Sequence, residues 1–372
     1  MVAICAVFAL ALVICFAFLF LPKIRFVILL SLVCAAGWLL AALFLFAQHH
    51  VWLDIVAPET AVFLSFLSAA VISYQTEGKA RRHLRSVFGR YLSPAVITEV
   101  IDRSETVELG GKEITGTVLF SDIKDFTSIS EQLSASELVV LLNEYFSLST
   151  EIILTSEGLL DKYLGDSIMA IWGAPLATTD HARRACAAAL EMQQLLKQQW
   201  ASGTPDHPRL ETRIGINTGP MVVGNIGSYR RLEYTAIGNT VNIASRLEGV
   251  NKMFKTGIII GSTTFEGVKD EFVARKLDVL RVKGKKEAVA VFELMGKPED
   301  VPAEVRDSLA KFESARRLYC DRAFDRALNA FQAILSVVPN DGASVEYIDR
   351  CRRFLQTPPR PDWDAIYTLD VK

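Results

Sequence analysis

Three long apolar runs open the chain, and shorter amphipathic stretches follow. Residues 2–21 carry no charged side chain, and residues 24–47 carry only Arg25, at their edge. Runs of ~20 apolar residues match a helix that crosses a bilayer. A third run, residues 51–74, holds Asp54, Pro58 and Glu59 in its first third. That end belongs at the membrane surface. The first run lacks the basic leader and small-residue cleavage site of a secretory signal. Residues 1–74 therefore read as a membrane anchor with three transmembrane helices.

Basic residues set the topology. Lys23 and Arg25 separate the first two runs, and Lys79, Arg81, Arg82, Arg85 and Arg90 follow the third. The connection Gln48-His49-His50 has no Lys or Arg. The positive-inside rule then places everything after residue 75 in the cytoplasm, on a multi-pass protein of the cell (inner) membrane. Three spans put Met1 on the far side. That arrangement suits a chain that continues upstream into an external sensor.

Residues 75–110 predict a cytoplasmic helical linker. Their first half is basic with helical spacing, and Ser93-Pro94 pairs an N-cap with proline at the first helical position. Such a helix either transmits motion or lies on anionic lipid.

Beyond it the period changes. Val118, Leu119 and Phe120 form a short β-type run that ends at Asp122. Ser128 and Glu131 have capping-box spacing, which predicts a helix start, and Ser134 and Glu137 repeat it. Leu138, Leu141, Leu142, Tyr145, Phe146 and Leu148 then recur at helical intervals, predicting a core-facing helix over 135–156 that Gly158 stops. LLDKYLGDSIMAIWG reads as a β-hairpin turning at Gly165-Asp166. Asp180 caps an alanine-rich helix to about Gln199. Strands are predicted at 212–217, at 221–225 beyond Gly219-Pro220, and at 232–237. A helix opens within 238–249, then come a strand at 257–261, a short helix at 263–268 and strands near 272–282 and 289–294. Over 111–297 this is an α/β arrangement, an α+β sandwich with a mixed sheet.

Residues 305–338 are helical. Ala327, Phe331 and the closing Pro339 resemble a single tetratricopeptide-like hairpin, within a small α-helical segment at 303–357. One and a half repeats fall short of the roughly three that stand alone, so the segment should pack on the α/β domain or on another copy of itself. Residues 358–372 form a proline-rich tail, with Trp363 as its anchor.

Composition changes this picture little. A chain of 372 residues allows two or three domains. The net charge of −2 gives no reason to expect a nucleic-acid partner. The six cysteines have neither metal-ligand nor disulfide-framework spacing, which fits free thiols in a reducing compartment.

Candidate chemistry rests on two acids. Asp122 ends a strand and Asp166 sits at a hairpin tip. If those strands are neighbours the carboxylates converge, which suits magnesium, an ion that keeps few protein ligands and takes the rest from phosphates. If not, both are solvated turn residues. Asn242 and Arg246 are four apart on one helical face. An amide and a guanidinium there suit a ribose and a phosphate, or are merely solvated. Lys162 precedes Asp166 by four residues on the hairpin's incoming strand.

Four motifs in order sharpen this: FSDIKDFT, DKYLGDSIMAIWG, GINTGPMVVGNIG and YTAIGNTVNIASRLE. Together they resemble the catalytic domain of the class III nucleotidyl cyclases, in register over about 117–294. The resemblance implies that Asp122 and Asp166, with the carbonyl of Ile123, hold two Mg²⁺ or Mn²⁺ ions. It implies that Lys162 recognises adenine, where guanylate cyclases place an acid. Thr235 stands where the most familiar pattern has Asp; Thr there resembles a bacterial subgroup that uses ATP. Some of its members respond to bicarbonate, so the resemblance also implies bicarbonate as a candidate regulator. Asn242 and Arg246 match the pair that orients ribose and stabilises the α-phosphate. Lys283, or else Lys285, matches a lysine on the terminal phosphates. Phe126 and Thr127 fall among the substrate-binding positions, where the helix N-terminus near Thr127–Ser128 would face the triphosphate. Asp125 occupies a position that is often Gly.

The resemblance further implies a head-to-tail homodimer. One copy supplies the aspartates, and the other supplies Lys162, Thr235, Asn242 and Arg246. The expected function is a membrane-bound adenylate cyclase that makes 3′,5′-cyclic AMP and pyrophosphate from ATP. A guanylate cyclase and a catalytically silent nucleotide-binding module are the alternatives. Multi-span cyclases with a CHASE2-type sensor end similarly, which agrees with a longer parent chain.

Overall fold

The structure is a computed structural model that describes residues 24–68, 110–199, 210–228, 231–282 and 288–369, with residues 8, 9, 12 and 71 besides. Most of the first expected span, the linker with Ser93-Pro94, and both Lys283 and Lys285 lie outside the described residues. The chain divides into two units, residues 1–92 and 93–372.

In the first unit, helix α1 (Ile24–His49) has 26 residues, about 39 Å at 1.5 Å per residue. That exceeds the ~30 Å of a hydrocarbon core. Leu29, Leu32, Leu40, Leu43 and Phe44 are all exposed along it. A helix apolar on every side needs an apolar surround. Helix α2 (Val56–Ser68) follows a short connection and is too brief to cross alone. The third expected span continues from it into residues outside those described. The Trp38 indole N–H donates to the Asp54 carbonyl at 3.2 Å, and Phe46 meets Trp52 edge-on at 5.5 Å, so the connection folds back on α1.

The second unit is built on a nine-stranded mixed sheet. Its elements are β1 (Gly110–Ile123), α3 (Phe126–Gln132), α4 (Ala135–Thr155), β2 (Leu159–Leu164), β3 (Ser167–Trp172), α5 (His181–Gln199), β4 (Thr212–Ser228), β5 (Arg231–Ile237), α6 (Asn239–Phe254), β6 (Ile258–Gly261), α7 (Ser262–Val268), β7 (Val273–Val282) and β8 (Ala288–Gly296). Three helices follow, α8 (Ala303–Cys320), α9 (Phe324–Leu335) and α10 (Gly342–Gln356), then a last short strand, β9 (Tyr367–Leu369). The strand order is β2-β3-β1-β4-β6-β8-β7-β9, with β5 also paired to β4.

Alternation along the central strands sends residues to two cores. Ile258 and Ile260 join Leu119, Tyr145, Trp172 and Met192 beneath α4 and α5. Ile259 points the other way, to Leu247, Phe254, Phe331 and Tyr347 beneath α6 and the C-terminal helices. Helix α4 is long and apolar enough to cross a membrane. It instead buries Leu141, Tyr145, Ile152 and Ile153 in the first core, and the expected Ser134/Glu137 capping box starts it.

Several expectations need correction. Helix α3 begins at Phe126, not at Ser128. Asp125 precedes it with φ of 56°, and its carbonyl takes the first bonds, from the Ser128 and Ile129 amides. Asp tolerates this left-handed conformation better than most residues, and glycine, with no Cβ, would take it without strain. Gly158 does not supply the left-handed stop of α4; Glu157 does, with φ of 59°. Gly158 is there for space, since a Cβ would lie 2.6 Å from Cε2 of buried Trp172. Gly219-Pro220 does not split a strand either, and β4 runs unbroken for 17 residues against β1. Its other edge pairs with β6 at 214–216 and with β5 from Val222. The proline thus falls where that edge changes partner, which spares a ladder donor. Helix α6 also runs past Gly249 to Phe254.

The C-terminal segment forms three helices rather than a single hairpin, and it packs on the sheet. Tyr347 Oη donates to the Leu277 carbonyl at 2.7 Å, and Arg350 Nη1 meets Asp278 Oδ2 at 2.6 Å. Trp363 packs against Tyr319, Phe324 and Phe354, as expected of an anchor.

Candidate active site

The expected convergence of the two acids is present. Strand β3 pairs antiparallel with β1, with Ser121 opposite Ile168. One residue further, Asp122 faces the β2–β3 turn, where Gly165 takes φ of 68°. Ser167 Oγ donates to Asp122 Oδ1 at 2.9 Å, and the Ile123 amide donates to Asp166 Oδ2 at 3.3 Å. Burial and then the adjoining Asp122 push the Asp166 carboxyl up to about 6. Two carboxylates this close repel one another, and a divalent cation between them would offset that repulsion. No group of three His, Cys, Asp or Glu side chains gathers among the described residues. A cation between Asp122 and Asp166 would complete its shell from the backbone and a ligand, which fits magnesium better than zinc.

Two further charged residues belong to this corner and escaped the sequence reading. Arg213 lies directly opposite Asp122 on β4 and is 8% exposed. Glu248 of α6 approaches from above, with its Oε1 3.9 Å from Arg213 Nε. That exceeds hydrogen-bond length, and neither atom has a hydrogen-bond partner among the described residues. Burial, then Asp122, pushes Glu248 up to about 7, against the pull of Lys252 and Arg213. The available signal was an arginine beside the alternating isoleucines Ile214 and Ile216 of a predicted strand.

A second cluster joins β2 to β5. Thr235 is buried, and its hydroxyl donates to Asp161. Lys162 Nζ meets Glu233 Oε2 at 2.7 Å. Lys162 and Thr235, expected to act together, are thus within one polar cluster.

Asn242 and Arg246 are not brought to the carboxylates. Helix α6 buries Ala244, Leu247 and Val250, while Asn242 is exposed and Arg246 half-buried. At ~100° per residue, Glu248 lies about 200° around the helix from Arg246. Since Glu248 faces Arg213, the residue opposite Asp122, Arg246 is turned away from the acids. Neither Asn242 nor Arg246 has a side-chain hydrogen bond or ion pair among the described residues. Phe126 and Thr127 open α3 next to the acids, with amides that lack intrahelical acceptors. One chain therefore holds two separate faces, an acid face and an amide-guanidinium face.

Comparison with known proteins identifies the domain that carries these residues. Residues 112–296 match the profile described as adenylate and guanylate cyclase catalytic domain. Adenylate cyclase 1 of Rhizobium meliloti is 42% identical over 184 residues, 48% of this chain and 27% of that protein. The terminal-differentiation specific adenylate cyclase of Dictyostelium discoideum is 36% identical over 289 residues, 75% of this chain and 13% of that protein. The chain thus spans a minor part of either relative. The structure of a bacterial light-regulated adenylyl cyclase, 24% identical, covers 62% of this chain and 66% of its own with a TM-score of 0.52, a likeness of fold. Through residues 112–296, the chain belongs to the family of adenylate and guanylate cyclase catalytic domains.

Proposed function

We propose that this chain is a membrane-anchored adenylate cyclase whose active site forms between two copies. The observation that carries the reading is the division just described. A complete set of acid, purine-facing and ribose-phosphate residues is present, but α6 turns Asn242 and Arg246 away from Asp122. A second copy, docked head to tail, would bring its α6 to the first copy's acids. Exposed Val139, Val140, Leu164 and Ile237 supply apolar surface for such docking.

Asp122 and Asp166, with the Ile123 carbonyl, would hold divalent cations. Bound there, two such ions would make the ribose 3′-hydroxyl more acidic and screen the triphosphate. The chain's own residues do the rest. Lys162 is a donor only and suits N1 of adenine, an acceptor where guanine carries N–H. Asn242 would orient the ribose. Arg246 would meet charge growing on the α-phosphoryl oxygens as the 3′-oxygen attacks and pyrophosphate leaves. Arg213, buried beside the acids with an unpartnered Nε, is placed to take a phosphate oxygen. The amides of Phe126 and Thr127, which lack intrahelical acceptors, would add donors for the triphosphate. Lys283 or Lys285 would reach the terminal phosphates.

The length of α1 and its all-round apolar surface support the anchor. The basic residues after the third run support a cytoplasmic catalytic domain.

Purified full chain in detergent, with Mn²⁺ or Mg²⁺ and ATP, should yield cyclic AMP and pyrophosphate by chromatography. No cyclic nucleotide from ATP or GTP would leave a silent binding module. Faster turnover of GTP than of ATP would make the chain a guanylate cyclase.

A further inference from the structure

Asp161 sits where two strands that share no ladder meet. It lies on β2, its side chain is 1% exposed, and it accepts from the Thr235 hydroxyl of β5. The Ala236 amide faces it as well and favours its charged form. Lys162 Nζ stands 3.6 Å from Asp161 Oδ1 and 2.7 Å from Glu233 Oε2. Consecutive strand residues ordinarily point to opposite faces. Here both Asp161 and Lys162 reach β5, because the β2–β3 register slips between Leu160 and Lys162. Bulges re-aim side chains in this way, often beside active sites.

The donors and acceptors can be counted. A hydroxyl has one proton and two lone pairs, and an ionised carboxylate only accepts. The Thr235 proton is committed to Asp161, so its oxygen offers any further partner a lone pair. Burial raises the Asp161 carboxyl above its ordinary range, and the Thr235 hydroxyl bond and then the Lys162 charge oppose that rise. The Lys162 ammonium has three N–H groups and no lone pair. With Glu233 and Asp161 beside it, one N–H is left for a ligand. A lone pair next to an N–H complements adenine, whose 6-amino group donates and whose N1 accepts. Guanine presents the reverse, a 6-oxo acceptor and N1–H.

We propose that Asp161 is a positioning residue for purine selection: it fixes the Thr235 hydroxyl as an acceptor, so that the Lys162–Thr235 pair reads adenine's 6-amino group and rejects guanine's 6-oxo group. The proposal rests on the reading of Lys162 and Thr235 as the purine-facing pair. It adds a residue that never touches the base.

The test compares kcat/KM for ATP and for purine riboside triphosphate, which carries hydrogen at C6. The full-length protein should favour ATP by about tenfold, the scale of one hydrogen bond. Asp161→Ala frees the hydroxyl to rotate. The ratio should fall below about threefold, and GTP turnover relative to ATP should rise. Each ratio is taken within one preparation, so loss of folded protein cancels. Thr235→Val should collapse the ratio equally, and Asp161→Ala added to Thr235→Val should move it no further.

Three results would overturn the proposal: a wild type indifferent to the 6-amino group, an Asp161→Ala variant that loses both activities by one factor, and a ratio that Asp161→Ala still shifts without the hydroxyl. The same ratio is read from affinities, by displacement of a fluorescent ATP analogue. A chain that binds ATP without cyclising it, yet loses the ratio in Asp161→Ala, upholds Asp161 and sinks the cyclase reading. A chain that cyclises ATP with the ratio unmoved does the opposite.

Discussion

Arg350→Ala is the substitution through which the C-terminal helices should report on the catalytic domain. The Arg350 side chain is 3% exposed. It bonds Asp278 Oδ2 at 2.6 Å and Glu346 Oε1 at 2.7 Å, and its guanidinium lies 4.4 Å from the Tyr367 ring centroid. The Asp278 side chain is also 3% exposed, on β7 beneath α10. Removing the cation leaves that carboxylate buried without its charge partner. Breaking such a pair costs about 3–5 kcal/mol, because desolvation is no longer offset. At ~2–4 °C per kcal/mol for a domain of this size, Tm should fall by roughly 6–20 °C.

The loss should also depend on pH. Burial already raises Asp278 despite Arg350. Without the arginine, its folded-state pKa rises further. A carboxyl raised by folding binds its proton more tightly in the native state, so stability returns as pH falls. The variant should therefore lie closer to wild type at pH 5 than at pH 8. Thermal unfolding of the full chain in detergent measures both effects. Replacing Asp278 and Arg350 together with apolar residues should cost less than the sum of the single changes. A Tm within about 2 °C of wild type, or additive single and double variants, would refute the reasoning. Because α10 packs behind α6, ATP turnover should fall with the same substitution.

Other expectations are quicker to check. Gly158→Ala should destabilise the catalytic domain by about 1–3 kcal/mol in urea titrations, since its new methyl group meets the Trp172 ring. Burial lowers the His181 imidazole pKa, and its Nδ1 lies 2.8 Å from the Thr117 hydroxyl. A depressed histidine contributes stability that is present above its unfolded value of ~6.5 and lost as pH falls through its folded value. The difference in stability between wild type and His181→Gln should therefore shrink from pH 7.5 towards pH 5. A constant difference would count against a buried neutral ring. Asp122→Asn should abolish cyclic AMP formation by the homodimer while leaving the far-UV spectrum unchanged.

Much of the catalytic domain was legible because its local signals agree with its tertiary contacts. The Ser134/Glu137 box, the Gly165-Asp166 turn and the spacing of Leu141 and Tyr145 each specify one outcome. Where local rules misled, packing had overridden them. Gly158 looks like a helix stop but makes room for an indole, and Pro220 looks like a strand break but lies where a ladder changes partner. Ser128 and Glu131 fit a capping pattern, yet the strand-to-helix turn at Asp125 comes first.

The acid pair was legible in the site because strand ends and hairpin tips can be read from sequence. Arg213, Glu248 and Asp161 were not. Their meaning depends on which strands are neighbours and on a one-residue register slip, and neither is written in any local window. The separation of Arg246 from Asp122 was implied only by family resemblance. In the structure it follows from the helical position of Glu248.

The shared site is tested most directly by mixing two dead proteins. Asp122→Ala lacks the acid face and Arg246→Ala lacks the guanidinium face. A dimer of one with the other keeps one intact site. Each variant alone should make no cyclic AMP from ATP. Their mixture, co-reconstituted in one membrane at equal amounts, should recover up to about a quarter of wild-type activity, since random pairing makes half the dimers mixed and each carries a single site. No recovery with mixed dimers demonstrated by cross-linking, or full activity from either variant alone, would contradict the account.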